Sequence, residues 1–146
     1  MNKFYTLILS VLTFSLGINA QITELFFSEY AEGSSNNKYL EIYNGTSSTV
    51  SLNNYAFPSV ANDPTTPGQY EYWNTFPARA SIAPGDVYVI AHPSADPYIL
   101  AHADHTHQWL SNGDDGYALV SGGTHNDANG DGDIDAGEMT GFTLLD

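Results

Sequence analysis

An all-β domain is what this sequence predicts, and three observations carry the prediction. Apolar and aromatic residues gather in short runs that alternate with period 2. Clusters of Gly, Pro, Asn and Asp separate those runs at short spacing, and no stretch beyond the first twenty residues holds a convincing helical period.

The chain is organised around Ser28 to Thr46. Before it stands the run Ile22-Thr23-Glu24-Leu25-Phe26-Phe27, after its Gly-Ser-Ser-Asn-Asn turn the run Lys38-Tyr39-Leu40-Glu41-Ile42-Tyr43. In the second run Leu40 and Ile42 share one parity while Tyr39, Glu41 and Tyr43 share the other, which marks a strand with one buried face.

The elements follow in order. Val50 and Leu52 lie on one parity, Tyr55 and Phe57 on the other, so a bulge at Asn53-Asn54 is expected to turn all four inward. Pro58 ends that strand, Ser59 to Gly68 reads as a surface loop, and Tyr70, Tyr72 and Phe76 announce another β segment. Ala83-Pro84-Gly85-Asp86 is a turn into Val87-Tyr88-Val89-Ile90, whose β-branched and aromatic residues on both faces suit an interior strand. Pro93 to His107 reads as loop, with one helical turn at Pro97 to Ala101 or an irregular crossover as the alternatives. Trp109-Leu110 and Tyr117 to Val120 complete a short-strand hairpin about Asn112 to Gly116. About seven short strands with such turns are the profile of an immunoglobulin-like β-sandwich.

Residues 1–20 read as a cleavable secretory signal: a basic start at Lys3, an apolar run from Phe4 to Leu16, and a small-residue end at Ala20. The run is shorter than the ~20 apolar residues of a spanning helix, and no later segment is long enough. Residues 21–146 then form one exported domain without cysteine, held by packing, hydrogen bonds or metal. The full chain carries 17 acidic residues and a formal charge of −14, and beyond the signal only Lys38 and Arg79 are cationic. Such a surface repels phosphate, which excludes direct nucleic-acid binding and disfavours anionic membranes.

The run Phe27 to Asn44 closely resembles the opening of lamin tail domains of secreted Bacteroidetes-type bacterial proteins. Three further stretches match that family in order and spacing: Val50 to Tyr55, Ile82 to Ile90 with its Pro-Gly-Asp turn, and Asn112 to Val120 with its Asn-Gly-Asp-Asp hairpin. The resemblance covers residues 22–120. It implies an immunoglobulin-like sandwich of lamin-tail type and a binding module with no catalytic machinery. It also implies joining to downstream domains, and the ending at Phe142 to Asp146, where the family usually continues into another strand, is read as a fragment lacking its last strand.

The strongest local motif is Asp127 to Glu138, which fits the EF-hand loop pattern D-x-[DN]-x-[DN]-G-x5-E at every constrained position. Asp127, Asn129, Asp131, Asp133, Asp135 and Glu138 take the ligand positions of a Ca²⁺ loop, Gly132 the sharp turn and Ile134 the apolar plug. Five carboxylates crowded on twelve residues favour a cation. Neither flank looks like an amphipathic helix, so the loop is expected between strands, with the weak affinity of roughly 10⁻⁴ to 10⁻³ M seen in extracellular modules and a structural role.

Two further clusters are weaker. His102, His105 and His107 offer imidazoles for Zn²⁺ or another transition metal, against the commoner alternative of scattered loop histidines. Glu29, Glu32 and Glu41 offer a carboxylate pair, but acidic side chains on the outer face of strands are the simpler account. There is no G-x-S-x-G, no cysteine nucleophile and no phosphate loop, and Asn44-Gly45-Thr46 spells a glycosylation sequon that reads better as a turn. The expected function is therefore a secreted positioning or binding module for a protein or carbohydrate surface, with one Ca²⁺. The competing expectation is an accessory domain of a secreted nuclease or other hydrolase whose catalytic part lies beyond Asp146.

Overall fold

The computed structural model describes residues 22–62, 69–110, 113, 115–130 and 137–146. The signal segment and loop residues Asp131, Asp133 and Asp135 lie outside the described residues. The strands are β1 (Leu25–Glu32), β2 (Lys38–Asn44), β3 (Val50–Ser51), β4 (Tyr55–Ala56), β5 (Ser59–Val60), β6 (Ser81–Ile82), β7 (Val87–Ala91), β8 (His105–Thr106), β9 (Gly116–Tyr117), β10 (Val120–His125) and β11 (Met139–Leu144). A single helical turn, α1 (Pro97–Leu100), precedes β8. They form an immunoglobulin-like β-sandwich, as the strand pattern predicts.

One sheet has the order β1-β2-β7-β8, and a second has β11-β10-β4. Two strand pairs, β3-β6 and β5-β9, complete the other side. The core between them joins Leu25, Leu40, Ile42 and Ile90 of the first sheet to Leu52, Phe57, Ile82 and Leu119 opposite, all at most 1% exposed. At about 1.5–3 kcal/mol for each fully buried large apolar side chain, this cluster is the main favourable contribution to the fold. A smaller cluster of Ala56, Ala118 and Val120 lies under Tyr70, Trp73 and Phe142.

The parity of β2 is as expected, with Leu40 and Ile42 inward, but Lys38 and Asn44 share that buried face. Between β3 and β4 the structure corrects the sequence reading. The parity switch is made by a 3-10 turn over Leu52–Asn54, capped by the Ser51 side chain, and no bulge is needed. The chain changes sheets there, since β3 pairs with β6 and β4 with β10. The expected result still holds, because Val50, Leu52, Tyr55 and Phe57 all pack on the main core.

Other elements differ from expectation: Ser59–Val60, inside the stretch read as loop, is β5 paired with β9, and residues 70–76, read as a β segment, make only isolated bridges at Tyr72 and Thr75. Pro97–Leu100 is helical, with Asp96 as N-cap and Pro97 in the first turn. Trp109-Leu110 is not a strand; Leu110 is buried, but the Trp109 carbonyl accepts from the Tyr117 hydroxyl at 3.0 Å. The strand in that region is β8 instead, which runs parallel to β7 in the register Ile90↔His105 and Ala91↔Thr106. Val87 to Ile90 is interior as expected, flanked by β2 and β8.

Candidate functional site

The hairpin of β10 and β11 carries the described ends of the acidic loop. Its ladder closes at His125↔Met139, and the Asn126 amide donates to the Glu138 carbonyl at 3.0 Å. Asp127 and Glu138, the first and last residues of the loop motif, are therefore brought together by strand pairing. The Asp127 carboxylate accepts from the Gly130 amide at 2.6 Å, and Glu138 Oε1 accepts from the Ala128 amide at 2.8 Å. Glu138 is buried, and its Oε2 lies 3.5 Å from His125 Nε2. Chemically this is a loop whose closing carboxylate is already folded back over its entry, with Asn129 on the same short arc.

The glutamates of the first sheet are engaged with hydroxyl groups. Glu29 and Glu41 are direct cross-strand neighbours on β1 and β2. Tyr39 donates to Glu29 at 2.6 Å, Ser28 to Glu41 at 2.8 Å and Tyr30 to Glu32 at 2.6 Å. The Glu29 carboxylate raises the Tyr39 phenol above its usual range, and burial followed by Glu32 raises Tyr30. Burial and Asp115 push Tyr117 up to about 12. Phenols held neutral in this way act as hydrogen-bond donors and not as bases near pH 7.

The histidines divide into two environments. His102 stacks edge-on to the exposed Tyr98 at 5.1 Å. His105 and His107 share a side, as strand geometry requires, but that side is the aromatic core. Their rings lie 5.8 and 5.3 Å from Phe57, and His105 Nδ1 is 3.3 Å from the Tyr88 hydroxyl. Burial lowers the pKa of both, that of His107 to about 4. Among the described residues no group of three or more His, Asp or Glu side chains is placed to hold a metal.

Lys38 is equally committed. Its ammonium is buried and donates to the Gly33 and Ser35 carbonyls, closing the turn between β1 and β2. This cation staples a loop and offers little to an anionic ligand. The Asn44 sequon is likewise internal, with Asn44 fully buried.

One feature was not read from the sequence. Tyr70, Tyr72 and Trp73 face Met139, Thr140 and Phe142 of β11 across a groove of about 260 Å³. The aromatic density of residues 70–76 is the signal available in the sequence, and by itself it reads as a strand.

The comparison with protein families decides the framework in which these features belong. The model of the Lamin Tail Domain matches residues 19–134. The chain belongs to the lamin tail domain family. No curated protein matches it. Lamin tail domains are immunoglobulin-like and non-catalytic, so the chain is a binding or structural module. The match begins before β1 and reaches into the acidic loop, beyond the 22–120 span that the sequence motifs carry. Among the described residues no helix is long and apolar enough to cross a membrane.

Proposed function

We propose that this lamin tail domain is a secreted, non-catalytic binding or positioning module of a larger extracellular protein, and that it holds one structural Ca²⁺ in the loop 127–138. The observation that carries the reading is the closure of that loop by Glu138, whose buried carboxylate reaches back to the Ala128 amide at the end of a paired hairpin. Asp127, Asn129 and Glu138 supply oxygen donors from the described ends, and Asp131, Asp133 and Asp135 complete the ligand set by motif. Calcium offsets the mutual repulsion of these carboxylates. The basic-apolar-small pattern of residues 1–20 supports export, and extracellular millimolar calcium suits a weak site.

The glutamate cluster supports the non-catalytic part of the reading. Its carboxylates are tied to tyrosine and serine hydroxyls on an exposed sheet face.

Isothermal titration of residues 21–146 with CaCl₂ tests the metal. A saturable heat with a Kd of roughly 10⁻⁴ to 10⁻³ M is expected, together with about 1.4 kcal/mol of added stability at tenfold excess over Kd. Glu138→Ala should abolish the heat. No saturable heat up to ~10 mM would remove calcium from the proposal.

A further inference from the structure

We propose that the groove between residues 69–73 and β11 is a binding site for one or two rings of a neutral saccharide. This rests on the binding-module reading of the domain and gives that module a ligand class.

The groove is built on small residues. Ala56, Ala118 and Val120 are buried beneath it, and the half-buried rings of Tyr70, Trp73 and Phe142 pack onto them. Those rings brace one another, with centroids 6.4 Å apart for Tyr70 and Trp73, 6.0 Å for Tyr70 and Phe142, and 5.1 Å for Trp73 and Phe142. Interplanar angles of 55–68° interlock them, so little side-chain freedom remains to be lost on binding. Tyr72 stands at the rim, 55% exposed. Its ring is a large apolar face left in water.

The rest of the lining decides the ligand. Gln69, Thr140 and the Trp73 indole are its side-chain hydrogen-bonding groups besides the phenols, and among the described residues no charged side chain lines the groove. The Gln69 amide lies over Gly137, close enough that a Cβ there would sit 3.5 Å from the amide nitrogen. An amide both donates and accepts, and a threonine hydroxyl does the same. A pyranose has this complementary pattern: an apolar C–H face to lie on an aromatic ring and a rim of hydroxyls to pair with neutral groups.

Charge narrows the class further. A formal charge of −14 repels an anionic ligand, and the lining among the described residues is uncharged. The volume of about 260 Å³ is just below the ~300 Å³ at which drug-sized sites begin, which suits one or two sugar rings.

The chain has two tryptophans, Trp73 and Trp109, so fluorescence can isolate the groove. In Trp109→Phe, Trp73 is the only reporter; in Trp73→Phe, only Trp109 remains. Both are titrated, with CaCl₂ held constant, against neutral oligosaccharides of glucose, xylose, mannose and N-acetylglucosamine. A saturable change in Trp73 emission is expected for at least one of them, with a Kd of roughly 0.1–10 mM and no change at Trp109. Tyr72→Ala, at an exposed position whose fold is checked by its melting curve, should weaken that binding about tenfold or more.

Three results overturn the proposal: no saturable change with any neutral saccharide, binding indifferent to Tyr72→Ala, or a response only to lysine- and arginine-rich peptides. A ligand whose binding ignores Tyr72→Ala would remove this groove but leave the binding-module reading standing. If no ligand of any class is found by a broader screen, that reading fails as well.

Discussion

Asn44 donates from Nδ2 to the carbonyl of Ile82 at 2.9 Å, joining the end of β2 to β6. The same amide donates to Ser48 at 2.9 Å, and its Oδ1 accepts from the Thr46 amide and hydroxyl at 2.9 and 2.7 Å. With the side chain fully buried, this asparagine is a junction between the two layers. A glycan on Nδ2 would replace one of its two hydrogens and so break at least one of the donated bonds, at a side chain that is fully buried, so the sequon and the native fold exclude each other.

Asn44→Ala should therefore cost about 2–4 kcal/mol, because it leaves buried carbonyl and amide partners without their bonds. For a domain of this size the melting temperature should fall by roughly 8–15 °C. A fall under ~2 °C in calorimetry would show that water replaces the junction at little cost.

How much of this was legible in the sequence depends on whether the cause is local. β2 was legible because Leu40 and Ile42 alternate against one core face. The roles of Lys38 and Asn44 were not, because polar residues on a core parity look like strand ends until their partners at Gly33 and Ile82 are in place. β8 has only two residues and depends on parallel pairing with β7, a non-local relation that no periodicity reports. His105 and His107 were read as metal candidates because the sequence does not reveal that Phe57 lies against them. For the acidic loop the residue types and spacing were fully legible, while its closure by Glu138 required the β10–β11 register. The saccharide groove joins residues about seventy positions apart and leaves no local trace beyond aromatic density.

Lys38 yields a second prediction. Its ammonium and the backbone bond from the Gly33 amide to the Asn37 carbonyl, at 2.8 Å, together fix the β1–β2 turn. Lys38→Met keeps the apolar stem but leaves two carbonyls without their donor, and should cost about 1–3 kcal/mol in urea unfolding. Hydrogen exchange should quicken first at Gly33 and Asn37, before the central amides of β2. Uniform quickening across β2 would mean that the lysine supports the whole sheet.

The histidines set an acid sensitivity. Burial, then the neighbouring His105 and His92, hold His107 well below its ordinary value, at about 4. Burial also lowers His105, against the opposing charge of Asp104. As pH falls the unfolded chain takes up protons at about 6.5, before the folded chain does. Stability is therefore full above pH 6.5 and declines between about 6.5 and 4. Allowing for solvent screening of a partly exposed ring, the His107 share of that loss is on the order of 1–2 kcal/mol. His107 Nε2 is buried without a hydrogen-bond partner, so His107→Phe should also be tolerated at pH 7.5. Urea unfolding at pH 7.5 and 5.0 should show a smaller pH-dependent loss in the variant. An equal loss in both proteins would assign the acid sensitivity to other groups.

The last prediction separates two kinds of glycine. Gly123 in β10 has φ +105°, and a Cβ there would sit 2.8 Å from Met139 Cε and 3.3 Å from Phe142 Cβ. Gly85, in the turn before β7, has φ +73° with open space around it. Gly85→Ala therefore meets only the backbone cost of a left-handed conformation, about 1 kcal/mol. Gly123→Ala meets that cost and a collision with the two β11 side chains that wall the groove. It should lose about 1–2 kcal/mol more than Gly85→Ala, and should weaken any saccharide response at Trp73 because Phe142 is displaced. Equal losses in the two variants would mean that Met139 swings aside freely and that the β10–β11 hairpin has room the structure does not imply.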